Sequence, residues 1–96
     1  MTAVKHDANK PPLHLLSSVA MAGTAHVMGF GAGKYDAHNW RKGFEWSRLI
    51  GAAMRHIAAF NDGEDFDPES GLPHLDHAAC CVMFLQEHFH RHLGHD

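Results

Sequence analysis

The sequence predicts an all-α fold, a small helical bundle of three main helices behind an extended N-terminal arm. Three observations carry that prediction. Apolar residues recur at the three-and-four spacing of one helix face in three separate stretches. Nowhere do they alternate with the period of two that a half-buried strand requires. The chain is also short: 96 residues bury only about 60–65% of their unfolded surface, so oligomerisation, most simply a dimer, is expected to complete the core.

The elements follow in order. Residues 1–12 are polar and end in Pro11-Pro12, which disfavours helix just before them; they read as the arm, and residues 13–96 as one helical domain. From Leu16, the positions Leu16, Val19, Ala20, Gly23, Val27 and Phe30 mark one face of a first helix, with Ser17 or Ser18 as N-cap. Gly29, Gly31 and Gly33 weaken it and end it near Lys34. A loop, YDAHNWRKG, follows. Trp46, Leu49, Ile50, Ala53, Ile57 and Phe60 mark the second helix, which Asn61-Asp62-Gly63 stops. The third is expected from about Pro73 to Leu93, proline suiting a helix start. Its main face carries Leu75, Ala78, Ala79, Val82, Leu85 and Phe89, and a second stripe carries His74, His77, Cys81, Phe84 and His88. One chain cannot cover both stripes, which again argues for assembly.

Composition narrows the function classes. Cys80 and Cys81 are adjacent, so a bridge between them would be strained; they read as reduced, structural thiols suited to a reducing compartment. No apolar run approaches a membrane span, and MTAVKHDANKPP has no signal-peptide core. The net charge of −3 counts eleven histidines as neutral, and it inverts below about pH 6.5 as they titrate. Without a basic run interleaved with aromatics, nucleic-acid binding is not expected. The smaller clusters Lys5/Lys10, Lys34 and Arg41/Lys42/Arg48/Arg55 suit a small anion.

Three motifs mislead. GFGAGKY has too few residues between Gly29 and Gly33 for a Walker loop, and Tyr35 stands where Ser or Thr is required; close helix packing explains its glycines, although Lys34 remains free to face an anion. The doublets His6-Asp7 and His95-Asp96 lie in terminal segments, not on packed helices. The tail HFHRHLGHD sends its histidines to different faces and reads as a solvated, fraying helix end.

The stretch GEDFDPESGLPHLDH is more informative, with five carboxylates and two histidines in fifteen residues. His74 and His77 share one helix face, and Cys81 lies one turn beyond His77. Two imidazoles with carboxylates from Glu64, Asp65, Asp67 or Glu69 suit a divalent metal. The competing reading is that Asp67 or Ser70 simply caps the third helix, where negative charge is favoured. On the second helix, Arg48, Arg55 and His56 are either a salt-bridged surface or one wall of a site. Arginine forks suit phosphate oxygens, and Tyr35 or Trp40 could stack on a base; His38, Asn39 and Arg41 lie beside them in HNWRKG. The ten-residue connection makes the second and third helices antiparallel neighbours. His74 and His77 should therefore meet His56, with Glu64 and Asp67 in the turn and Lys34 and Tyr35 closing the other side.

KHDANKPPLHLL, GFGAGKYDAHNWRKG and RHIAAFNDGEDFDPESGLPHLDHAACCVMFL together resemble a phage-encoded family, the N-terminal domain of dATP/dGTP diphosphohydrolases. The positions carrying the resemblance are Lys5, Asp7, Lys10, Lys34, Tyr35, Asn39, Trp40, Arg55, His56, Glu64, Asp67, Glu69, Ser70, Gly71, His74 and His77. The resemblance implies a phage protein in the cytoplasm of an infected bacterium, acting on purine nucleotides or nucleotide-derived small molecules, with a divalent metal. The family's longer proteins continue into a MazG-like all-α pyrophosphohydrolase domain, whose ordered pair of ExxE and ExxD motifs does not occur here.

Three functions are then open. In the first, His56, His74 and His77 with Glu64 or Asp67 hold Mg, Mn or Zn and activate water. Glu69 or His56 serves as base, and Lys5, Lys10, Lys34, Arg41, Arg48 and Arg55 neutralise phosphate. In the second, the same pocket sequesters a nucleotide immune signal of the host without cleaving it, an anti-defence role. In the third, the chain is a helical assembly module.

Overall fold

A computed structural model describes residues 2–96 of the protein. Helix α1 runs Ser18–Lys34, α2 Trp46–Asn61 and α3 His74–Arg91, with short 3₁₀ turns at Leu13–Leu15 and Asn39–Lys42. The fold is all-α, as the periodicity predicts. Of the two candidate caps, Ser17 starts α1: its Oγ accepts from the Ala20 amide at 3.1 Å. Residues 2–16 are exposed throughout.

Helix α3 is the centre. α1 and α2 each pack on it, and they do not pack on each other. α1 comes close at Gly23, where the Asp76 carboxylate occupies the place a side chain would need; Gly29, Gly31 and Gly33, expected to pack closely, have open space around them. α2 lies antiparallel to α3, its C-terminal His56 beside His74 at the start of α3. A groove is therefore left over α3, between the two outer helices.

The turn between α2 and α3 is sharply defined. The Gly63 amide donates to the Phe60 carbonyl and the Glu64 amide to that of Ala59, each at 3.0 Å, with Gly63 at φ +100°. This is the double-bonded helix exit that favours glycine, and it turns Glu64 back towards α3. Neither Asp67 nor Ser70 caps α3, contrary to the expectation. The His74 amide donates instead to the Asp65 carbonyl at 2.9 Å, and Pro73 occupies the cap position without a side-chain bond.

Two expectations about packing are corrected. The face of α3 that packs is the stripe with His74 and His88, both buried; Leu75, Val82 and Phe89 stay exposed. α1, α2 and the Asn39–Lys42 turn pack on α3; α2 and that turn enclose the histidine-bearing stripe and leave the more apolar one open. The tail is not a fraying end either. His88 is fully buried. Beyond α3 the chain folds back, so that the His95 carbonyl accepts from the Trp46 amide at 2.8 Å and the Asp96 carboxylate from the Ser47 amide at 3.2 Å. α2 is thus capped by residues almost fifty positions away, because Glu45 at its own cap position makes no side-chain bond.

Candidate functional site

The groove over α3 is a cleft of about 580 Å³. Val27, Gly31, Lys34 and Tyr35 of α1 and its C-terminal end form one wall, Arg48, Ala52, Arg55 and His56 of α2 the other, and His77, Cys80 and Phe84 the floor. Asn39, Trp40, Asp67 and Glu69 also line it. The helical period explains the α2 wall: Arg48, Ala52, Arg55 and His56 recur at three- and four-residue spacing on one side of that helix.

At the closed end of the cleft the predicted histidines meet. His56 Nδ1 lies 2.9 Å from His74 Nδ1, and the His56 ring stacks on His77 at 4.5 Å and 9°. The outer nitrogen of His74, Nε2, is 2.7 Å from Glu64 Oε1. His77 Nε2 lies 2.7 Å from Ser70 Oγ and 3.5 Å from Asp67 Oδ2. Ser70 Oγ also donates to Asp67 at 3.1 Å and accepts from the Leu72 amide at 3.1 Å. The acidic stretch thus holds the histidines in place from behind.

Electrostatics follow from that packing. Burial, then repulsion from His77 and His74, lowers the pKa of His56. Burial lowers that of His77 as well, against the pull of Asp67. Burial works to raise the pKa of Asp67, but its bonds from Ser70 and from the backbone of Glu69 and Ser70 bring it below the usual value. Unfolded histidine titrates near 6.5. The unfolded chain therefore binds more protons than the folded one once the pH falls below about 6.5, and stability is lost there until the folded-state values are passed. We expect the melting temperature to drop between pH 7.5 and pH 5.5, and the drop to shrink when His56 and His77 are both replaced by glutamine. An identical drop in that variant would contradict the assignment.

The expected metal ligands His56, Glu64, Asp67, His74 and His77 converge, but their donors are spent on one another. Both nitrogens of His74 are engaged, as are Nδ1 of His56 and Nε2 of His77. Among the described residues, no group of three or more His, Cys, Asp or Glu side chains is arranged to hold a metal ion. Cys81 does not change this. Burial raises its pKa, and that of Cys80 is pushed up to about 12, so both remain thiols. The donor set does not fit a resident metal.

The expected phosphate ligands divide. Lys34, Tyr35, Asn39, Arg48 and Arg55 line the cleft. Tyr35 is 59% exposed and open to stacking. Arg48 and Arg55 have no carboxylate partner among the described residues. Lys34 pairs with Glu69 at 2.5 Å, which ties the carboxylate expected to act as a base to a cation. Lys5 and Lys10 stay on the exposed arm, and His38 and Arg41 lie outside the lining.

Trp40 lines the cleft but is buried. Phe84 stacks on it at 4.6 Å and the Arg41 guanidinium lies over it at 4.6 Å, leaving no open face for a base. Asp36 and Phe44, which sequence reasoning missed, also line the cleft; neither belongs to a motif that would single it out.

An all-α domain with an arginine-walled, histidine-ended cleft is the class that fold and site define. The chain belongs to the family described as dATP/dGTP diphosphohydrolase, N-terminal, which matches residues 1–96. It is also 38% identical over 85 residues to a protein of Salmonella phage PMBT28 named dATP/dGTP diphosphohydrolase. That match covers 88% of this chain and 29% of the relative, so the chain spans less than a third of that protein's length. No solved structure matches the chain.

Proposed function

We propose that the cleft binds the phosphates of a purine nucleotide, as part of a phage protein that handles dATP, dGTP or a related small molecule in the infected host. The observation that carries this reading is the pair Arg48 and Arg55. They stand two turns apart on one wall of a cleft, and no carboxylate among the described residues neutralises either of them. Guanidinium groups left open in this way suit phosphate oxygens. The exposed Tyr35 offers a face for the base, and Lys34 can exchange Glu69 for phosphate, since an exposed ion pair is worth little. The name of the phage relative gives the nucleotide class.

The test is incubation with a panel of purine and pyrimidine nucleotides, with and without Mg, Mn or Zn, followed by chromatography. Depletion of purine nucleotides or appearance of their products supports the reading. Nucleotide recovered intact on denaturation assigns sequestration, and new products assign hydrolysis. No change with any nucleotide contradicts it.

We also propose that the chain works as a dimer. Ile50, Met54 and Ile57 on α2 and Leu75, Val82 and Phe89 on α3 are all exposed, at spacings that align each set along its helix. Light scattering should give twice the 10.6 kDa chain mass; a monomer mass at micromolar concentration would contradict it. No helix among the described residues is long and apolar enough to cross a membrane.

A further inference from the structure

The histidine cluster has the wrong donors for a metal and a consistent set of donors for moving a proton. An ionised carboxylate only accepts hydrogen bonds. Glu64 Oε1, 2.7 Å from His74 Nε2, therefore requires the proton of His74 to sit on Nε2. A neutral His74 then presents a bare lone pair at Nδ1. His56 Nδ1, 2.9 Å away, must donate to it, and the remaining lone pair of His56 is left on Nε2. His74 is 4% exposed and lies behind the wall of the cleft, whereas His56 lines it. With Nδ1 of His56 held by that buried partner, Nε2 is the nitrogen left for the cleft.

We propose that Glu64, His74 and His56 form a proton relay in place of a metal centre, with His56 Nε2 as the proton acceptor facing the bound nucleotide. Every neighbour of His56 fits this arrangement. His77 stacks flat on its ring and fixes the plane. Phe30 of α1 meets His77 edge-on at 6.4 Å, bracing the stack. From the connecting loop, Asp67 is tied to Ser70 and Glu69 to Lys34. Arg55, the next residue on α2, lies on the phosphate-facing wall.

The relay suits hydrolysis of a phosphoanhydride, and in that respect it rests on the nucleotide reading above. A water molecule donates its proton to His56 Nε2 as its oxygen bonds to phosphorus. The bond from phosphorus to the bridging oxygen breaks, and the leaving phosphate keeps the electron pair. Lys34, Arg48 and Arg55 balance its charge, and His56 returns the proton to solvent. Glu64 and His74 are positioning residues: they fix which nitrogen of His56 is bare, and His56 alone touches the reacting water.

Nitrogen-15 NMR of the full chain at pH 7.5 reads the histidine tautomers directly and needs no nucleotide. His56 is expected to carry its proton on Nδ1 and His74 on Nε2; a proton on Nε2 of His56 overturns the relay. Glu64→Ala should redistribute the proton of His56 while the helical signal stays unchanged. An unaltered tautomer in that variant overturns it too, as does displacement of the His56 Nδ1 proton by added zinc. A separate kinetic arm compares wild type with His56→Gln on dATP and dGTP. Binding retained with a loss of about 100-fold or more in product formation is expected of a missing general base, and an equal rate in the two proteins refutes the acceptor role. Failure of both nucleotides to bind, with the tautomers as stated, would count against the nucleotide reading alone.

Discussion

Replacing His88 by alanine is expected to cost about 3 kcal/mol of unfolding free energy, the sum of a buried cavity and an orphaned carbonyl. His88 is fully enclosed, and its Nε2–H donates to the Trp40 carbonyl at 2.7 Å. That bond pins the Asn39–Lys42 turn to α3, beside the stack of Trp40 on Phe84. Small domains have only about 5–15 kcal/mol in total, so the variant should unfold at a visibly lower denaturant concentration. His90, exposed on the same helix, is the control, and His90→Ala should change little. Equal, small effects at both positions would show that the tail is the loose end its histidine-rich sequence suggests.

The second large effect concerns the wall of α2. Arg48→Ala and Arg55→Ala are each expected to weaken purine nucleotide binding about 10- to 100-fold, the loss of a charge-assisted hydrogen bond worth about 1.5–3 kcal/mol. Both side chains are exposed, so the fold should survive, and calorimetric titration separates the two effects. Lys5→Ala and Lys10→Ala should leave affinity almost unchanged, because the arm does not reach the cleft. Arg41→Ala should lower stability instead, since its guanidinium covers Trp40. If the arm lysines matter more than Arg48 and Arg55, the cleft is not the binding site.

The second and third helices were legible because helix formation leaves a periodic trace, and the stop at Asn61-Asp62-Gly63 and the serine cap because backbone geometry demands those residues; on α1 the expected face is only partly right, since Gly23 and Val27 are buried but Leu16 and Val19 stay exposed. The meeting of His56 with His74 and His77 followed from one fact, a connection too short for anything but antiparallel neighbours. What the sequence did not show is which stripe of α3 would be covered. Leu75, Val82 and Phe89 are the more apolar set, yet the stripe with His74 and His88 is the enclosed one: both nitrogens of His74 and Nε2 of His88 find partners, while Nδ1 of His88 finds none among the described residues. Long-range pairing was hidden for the same reason. Nothing local announces that Asp96 caps α2, or that Glu69 is occupied by Lys34. Trp40 looked like a stacking platform because an indole in a basic loop is ambiguous; only packing on Phe84 makes it core.

The central claim is that purine nucleotide phosphates lie in the cleft between α1 and α2. Titrating the nitrogen-15-labelled chain with dGTP while recording amide and arginine side-chain resonances tests it most directly. The account predicts saturable shifts at Lys34, Tyr35, Arg48, Arg55 and His56, with Lys5, Lys10 and the exposed face of Leu75, Val82 and Phe89 unmoved. Shifts confined to the arm or to that exposed face, with the cleft silent, would contradict it.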